Sequence, residues 1–442
     1  MKFRSMLRAS TAILAIIGLF SCENTWMKNL LAKDKGAGTA SNPFMVYNEA
    51  TLRHVGNPDS GIYSEWTLNA HYIQTQDIYM VGGDFPAIGN NSDKFTGSYD
   101  GNGKTISNLT INTTIGIDYQ GLFGYIAGAT IKNVRLENCG INTQGDYTGS
   151  VVGYNDGGLV QNCSATVTGV GSVYSGGNIG GGVVGINFGT VRNCYSEISV
   201  FSGGVAGGVV GSNGGSSAKV ENCYSMGSVS GGNSIGGIVG NNGGTVQNCY
   251  AEGSVYGSGN NIGGVVGNID GGTVKNCYFT GSVTGTGTND NIGGVTGNNN
   301  SGTVQNCYAT GSAAGGSTNK NIGGIVGNNY GTVQNCVALN TSVIGFSSVG
   351  RVVGYGGITD LINNCARDNM PGSWPSNLNN GDDLIVTGGG TPNVTVFAAS
   401  NGWSSSVWNI PTGILSTSSA ENRALPTLKN MPGAAQNPQL PL

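Results

Sequence analysis

Ten cysteines are the residues of this chain best suited to chemistry, and nine of them follow an asparagine. The pairs are Asn138-Cys139, Asn162-Cys163, Asn193-Cys194, Asn222-Cys223, Asn248-Cys249, Asn276-Cys277, Asn306-Cys307, Asn335-Cys336 and Asn364-Cys365. Their spacing runs from 24 to 31 residues and centres near 28. Thiols can form disulfides, bind zinc or act as nucleophiles. Even spacing argues against the first two. Equivalent side chains on stacked units point in parallel, so the disulfide dihedral is hard to reach. A linear column also cannot wrap tetrahedrally around a zinc ion. Buried free thiols acting as small apolar groups are therefore expected.

Other reactive residues are sparse. The two histidines, His54 and His71, precede the repeats, and no H-E-x-x-H occurs. No nucleophile motif lies beside either His, so both read as ordinary surface or cap residues. Gly101-Asn102-Gly103-Lys104-Thr105 resembles the end of a phosphate loop. Its required first glycine would fall at Ser98, and no helix is expected to follow. The 23 acidic residues are scattered. The position before seven of these Asn residues carries Gln161, Arg192, Glu221, Gln247, Lys275, Gln305 and Gln334, a mixed column that suits a solvated face. A net charge of −4 provides no basic patch for nucleic acid. Neither a metal nor an organic cofactor is implied, and no catalytic residue stands out.

The elements that hold these cysteines are strands. Gly supplies 80 of 442 residues, yet it keeps register with β-branched residues. Ile-Gly-Gly-[Val/Ile]-[Val/Thr]-Gly recurs at residues 235–240, 262–267, 292–297 and 322–327. A fixed period of this size marks units that stack to bury a shared core. Side chains alternate along a strand, so Val246 and Cys249 can both face inward only if the chain bends between them. Asn248 suits that bend, because Asn tolerates the left-handed conformation. The expected fold is all-β, a right-handed parallel β-solenoid of about 28 residues and three short strands per coil, capped at both ends. Asn and Cys should form adjacent ladders.

The pattern Gly-[Ile/Val]-Val-Gly-Asn-x-x-Gly-Thr-Val-x-Asn-Cys-Tyr-Ala resembles the GLUG repeat of bacterial surface proteins, also found flanking immunoglobulin-A-cleaving peptidases. Gly121-Leu122-Phe123-Gly124 is similar to a first, divergent copy, and residues 95–111 to the leader before such repeats. The resemblance covers residues 41–366 and implies a solenoid with an adhesin-like role. The zinc peptidase activity of some relatives lacks its motif here.

The ends complete the reading. Residues 1–21 begin with Lys2, Arg4 and Arg8, then run apolar to Leu19-Phe20-Ser21-Cys22. This is a lipoprotein-type export signal with lipidation at Cys22; ordinary secretion is the alternative, since Phe20 is bulky for such a site. Residues 22–40 read as a flexible tether, 41–135 as an N-terminal cap with the first divergent coils, and 136–366 as the repeats. Residues 367–442 read as a C-terminal cap and irregular tail, whose Trp374, Trp403 and Trp408 could instead form a sugar-binding platform. Together these features describe a non-enzymatic, lipid-anchored protein of the outer membrane or cell surface. Its expected partners are the membrane, through the lipid, and an extracellular protein or glycan. A polysaccharide-processing enzyme and a purely structural envelope protein are the competing readings.

Overall fold

The computed structural model describes residues 36–441 apart from 170, 288–290, 317, 319–320, 358–359, 372–381, 385–393, 412–422 and 434–435. The export signal, Cys22, most of the tether and Trp374 lie outside the described residues.

One coil shows the plan. Strand β1 (Val239–Asn242) leads into β2 (Thr245–Ala251), β3 (Val255–Gly257) and β4 (Asn261–Gly263), and the next coil opens with β5 (Val266–Asp270). Each strand pairs in parallel with its counterparts in neighbouring coils. About 11 turns of ~29 residues build the solenoid. Four strands therefore replace the expected three. In most other coils β2 is divided at its corner, as in Thr190–Arg192 and Tyr195–Ser196. The parallel stack starts early, because Phe44–Val46 already pairs with His71–Gln74.

The bend in β2 is made by Asn248, whose φ is +54°. It reverses the strand's parity, so Val246 and Cys249 both reach the core at 0% exposure. Along the middle of the column a corner Asn donates its Nδ2 to the Oδ1 of the Asn one coil earlier, whereas Asn306 Nδ2 donates to the Asn401 carbonyl. Asn193 reaches Asn162, Asn222 reaches Asn193, Asn248 reaches Asn222 and Asn276 reaches Asn248, at 3.1–3.2 Å.

A second Asn ladder runs inside the wall and was not legible in the sequence. Asn155, Asn187, Asn213 and Asn242 are fully buried and linked Nδ2 to Oδ1 at 2.7–2.8 Å. Asn299 and Asn329 repeat the link, and the apolar Ile269 takes the position between the two runs. These amides also bond the turn backbone, as Asn242 Nδ2 does to Gly244 O, so the burial leaves donors satisfied.

The glycine columns pinch the coil. A Cβ on Gly263 would collide with the Val266 carbonyl oxygen, and one on Gly267 with the Ile235 backbone nitrogen. The last strand of one coil and the first of the next thus touch backbone to backbone. Only glycine allows that approach.

Candidate functional site

Seven cysteines form one buried column: Cys163, Cys194, Cys223, Cys249, Cys277, Cys307 and Cys336. Cys249 pairs directly with Cys277 across the ladder, and the Cys163 backbone N–H faces Cys194 Sγ at 3.4 Å. Each Sγ contacts the carbonyl two residues earlier, as Cys249 does with Gln247 O at 3.2 Å. Desolvation is the largest influence on each thiol and holds Cys163, Cys194 and Cys336 well above the usual thiol range, while hydrogen bonds from neighbouring thiols pull Cys249 and Cys307 down. All seven are at 0% exposure, and a thiol closed off from any reactant does no chemistry as a nucleophile. The column is core material.

Two expected members stand elsewhere. Cys139 is buried, but its strand neighbour Arg135–Glu137 pairs with Ser164–Thr166. The counterpart of Asn162 is therefore Asn133 (φ +56°), which accepts from Asn162 Nδ2 at 3.0 Å. Asn138 (φ +52°) turns the following corner, where its Oδ1 accepts the backbone N–H groups of Thr168 and Gly169. Both corners need a left-handed residue followed by an inward one, so the same dipeptide serves both. At the other end, Asn363 (φ +51°) makes the bend instead of Asn364. Asn364 fills the thiol position and accepts from the Cys336 N–H at 2.9 Å. Cys365, pairing with Val337, lies one place beyond the column and is half-buried.

Outside this column runs a tyrosine stack. Tyr195, Tyr224, Tyr250, Tyr278 and Tyr308 follow their cysteines, with centroids 4.7–5.0 Å apart and planes within 8°. The C-terminal segment lies sideways along this stack. Phe397, Trp403, Trp408, Leu425, Leu428 and Leu440 pack on it as a second core. Tyr308 Oη donates to Pro426 O at 2.6 Å and Tyr278 Oη to Gln436 Oε1 at 3.0 Å. Trp403 and Trp408 are 0% and 1% exposed, so they clamp the wall and offer solvent no platform. One further strand, Asp382–Leu384, extends the sheet past Cys365–Arg367.

The histidines are separate from one another in role. His54 stacks on Tyr63 at 3.9 Å. His71 Nδ1 lies 2.7 Å from Ser98 Oγ, a contact between paired strands. A Ser–His contact raises the question of acyl transfer. Here Ser98 sits on a sheet face, and its own N–H is spent on Ala70 O at 3.3 Å. An oxyanion hole needs free, converging donors, which a paired strand does not supply.

The first coils carry the most distinctive surface. One outward column reads Tyr125, Tyr154, Ile186, Ser212, Asn241, Asn268, Asn298 and Asn328 in successive coils. In the last coil Tyr355 follows Asn328, so aromatics stand at both ends of the column with Asn between them, and the rings of the first coils stack on one another. Tyr125 and Tyr154 stack at 4.5 Å, and Phe188 adds a ring 5.7 Å further on. Beside them Tyr119 and Tyr147 stack at 5.2 Å, each at φ +62°. Bulky residues seldom adopt that conformation, and it concentrates at functional sites. Lys94 lies 4.5 Å over the Tyr125 ring and 3.8 Å from Asp156. Burial, with the Asp156 carboxylate, pushes the Tyr125 hydroxyl up to about 12. Next to Tyr119 a recess of about 380 Å³ opens between residues 84–90 and 111–120. Sequence reading missed this site because its residues belong to the coils that depart from the repeat. Among the described residues no group of three or more His, Cys, Asp and Glu is placed to hold a metal ion.

Comparison with known proteins agrees with the repeats. Residues 144–168, 231–256 and 258–284 match the profile of the GLUG motif. Over 156 residues, 34% of this chain, it is 34% identical to halomucin of Haloquadratum walsbyi. Over 141 residues, 30% of the chain, it is 31% identical to a provisionally named Gly-rich membrane protein of Evansella cellulosilytica. The matched parts span only 2% and 15% of those relatives. A solved structure of a Bacteroides ovatus protein, provisionally assigned as an immunoglobulin A1 protease, aligns with 90% of this chain and 95% of its own at a TM-score of 0.41 and 19% identity.

Proposed function

We propose that this chain is a non-enzymatic β-solenoid of the cell envelope, held by a lipid on Cys22, that presents an adhesin-like binding surface to an extracellular protein or glycan. The observation that carries the reading is the cluster of stacked rings on the first coils. Aromatic rings gather at Tyr119, Tyr125, Tyr147 and Tyr154, while Asn241, Asn268, Asn298 and Asn328 hold the same place in the middle coils. A purely structural rod would gain nothing from two tyrosines in left-handed backbone at one end. The names of the relatives, one a membrane protein, support an envelope location. The segment before the tether supports the lipid, since each buried CH₂ contributes roughly 0.8 kcal/mol and two or three chains anchor firmly.

Metabolic fatty-acid labelling with surface proteolysis of intact cells tests the anchored display. Wild-type protein should take up label and be cleaved from outside. The Cys22→Ser variant should be unlabelled and leave the membrane fraction, or accumulate uncleaved. Unlabelled wild-type protein in the medium would replace the anchor with ordinary secretion.

A further inference from the structure

The recess beside Tyr119 has a lining whose chemistry is selective. Asp84, Asp118, Asn90, Asn112 and Gln120 line it. Asn112 Nδ2 donates to Asp84 Oδ1 at 2.9 Å, and Gln120 Nε2 donates to the Asp118 carbonyl at 2.9 Å. Asp118 Oδ1 accepts the Asp146 N–H at 2.8 Å. A carboxylate offers about four acceptor sites, so both acids keep capacity toward a ligand. The opposite character is supplied by the exposed Pro86 and Ile117, backed by the buried Phe85 and Ile111. Ile117 is 45% exposed at the rim, and the Tyr119 ring, half-buried, is held from behind by Tyr147.

We infer that this recess binds a neutral saccharide. Four features converge. About 380 Å³ is room for one or two sugar rings, at the small end of ligand sites. Sugar hydroxyls both donate and accept, and paired carboxylates and amides answer both roles. A pyranose has an apolar C–H face, which matches a wall of Pro, Ile and aromatic carbon. The lining carries two carboxylates and no Lys, Arg or His, and the adjacent Arg53 is already paired with Glu49 and the Asp84 carbonyl, so like-charge repulsion disfavours uronates, sialylated chains and phosphate. The strained backbone at Tyr119 holds its ring at the mouth before any ligand arrives, and preorganisation of this kind lowers the entropic cost of binding. Tyr154, backed by the buried Tyr125, and the exposed Phe188 continue from Tyr119 along the next coils, so a longer chain has a track to follow.

This inference rests on the proposed binding function and narrows it to one ligand class. The test uses the full mature chain on an array of neutral hexose and N-acetylhexosamine oligosaccharides. Oligouronates and a lysine-rich peptide serve as charged comparators. Retention of neutral oligosaccharides, with little or no retention of uronates, is expected. Asp118→Lys and Asn112→Ala should each weaken retention about tenfold or more, the loss of one or two well-placed hydrogen bonds. Gln305→Lys, on a distant face, should leave it unchanged. Thermal unfolding of each variant confirms an intact fold, and the milder Asn112→Ala keeps the test open if Asp118→Lys does not fold. The inference fails if no neutral oligosaccharide is retained, if only the cationic peptide binds, or if folded variants bind like wild type. Adhesion of protein-bearing cells that persists under any of those results leaves the binding function standing. Loss of both overturns the two together.

Discussion

Removing residues 394–442 should leave a folded rod that self-associates. The segment covers Tyr224, Tyr250, Tyr278 and Tyr308, each now 0–1% exposed. A buried tyrosine hides roughly 150–250 Å², so uncovering four exposes an apolar stripe at or beyond the largest patches of ordinary monomers. The stripe is flat and periodic, which favours pairing with a second copy. Light scattering should show mass rising with concentration for the shortened protein, together with increased binding of an apolar dye. A milder version, Trp403→Ala, should destabilise the clamp by about 3–5 kcal/mol, because the indole is fully enclosed. Alkali provides an independent readout. Burial holds the Tyr278 and Tyr308 hydroxyls above the usual phenol range. The folded state thus keeps protons that the unfolded chain releases near pH 10, so the clamp is fully stable below about pH 10 and weakens as pH rises beyond it. Phenolate absorbance from these residues should appear near pH 10 only in the shortened protein. A monodisperse shortened protein with an unchanged tyrosine titration would contradict the lateral clamp.

Placing a charge in the thiol column should be still more damaging. Cys249 is enclosed by Val246, Cys277 and the neighbouring coils at 0% exposure. Cys249→Asp leaves a carboxylate with no counter-charge in the core. Breaking a buried ion pair costs about 3–5 kcal/mol for the same reason, and here no relaxation to solvent is at hand. Cys249→Ala leaves only a small cavity, worth on the order of 1 kcal/mol. Cys365→Asp should cost much less than Cys249→Asp, because Cys365 lies outside the column and is half-buried. Urea unfolding of the three variants orders them. Equal losses at Cys249 and Cys365 would restore the ninth cysteine to the column.

The parts of this fold that repeat were legible, and the parts that do not were not. Asn248 and Cys249 recur with Gly, Val and Tyr in register, so period and parity suffice to bend the strand and turn the thiol inward. Asn138-Cys139 misleads because two corners of one coil pose the same steric demand. Its interval to Cys163 is 24, short of the ~29 of a coil, and that shortfall was the available signal. Asn363-Asn364 shifts the final corner because either Asn can adopt the left-handed turn. The buried amides of Asn155 to Asn242 escaped notice because polar residues are expected outside, and only the ladder geometry satisfies them. The C-terminal clamp has no period at all. Its partner, the tyrosine after each cysteine from Tyr195 to Tyr308, was visible, but nothing local links it to Trp403 and Trp408. The candidate site is composed of residues that break the repeat, which is why pattern reading passed over Tyr119, Tyr147 and Asp84.

The central claim is that recognition resides in the first coils while the later repeats serve as a stacked wall. Deleting residues 194–222 removes one whole coil and joins Asn193 to Cys223, so the neighbouring coils can re-pair in register. The recess, Tyr119, Tyr147, Tyr154 and Phe188 all remain. Binding of the neutral-oligosaccharide array by this shortened protein is the decisive measurement. Affinity equal to wild type, in a protein that still unfolds cooperatively, is the predicted result. A folded protein that has lost binding would place recognition in the repeats and contradict the account.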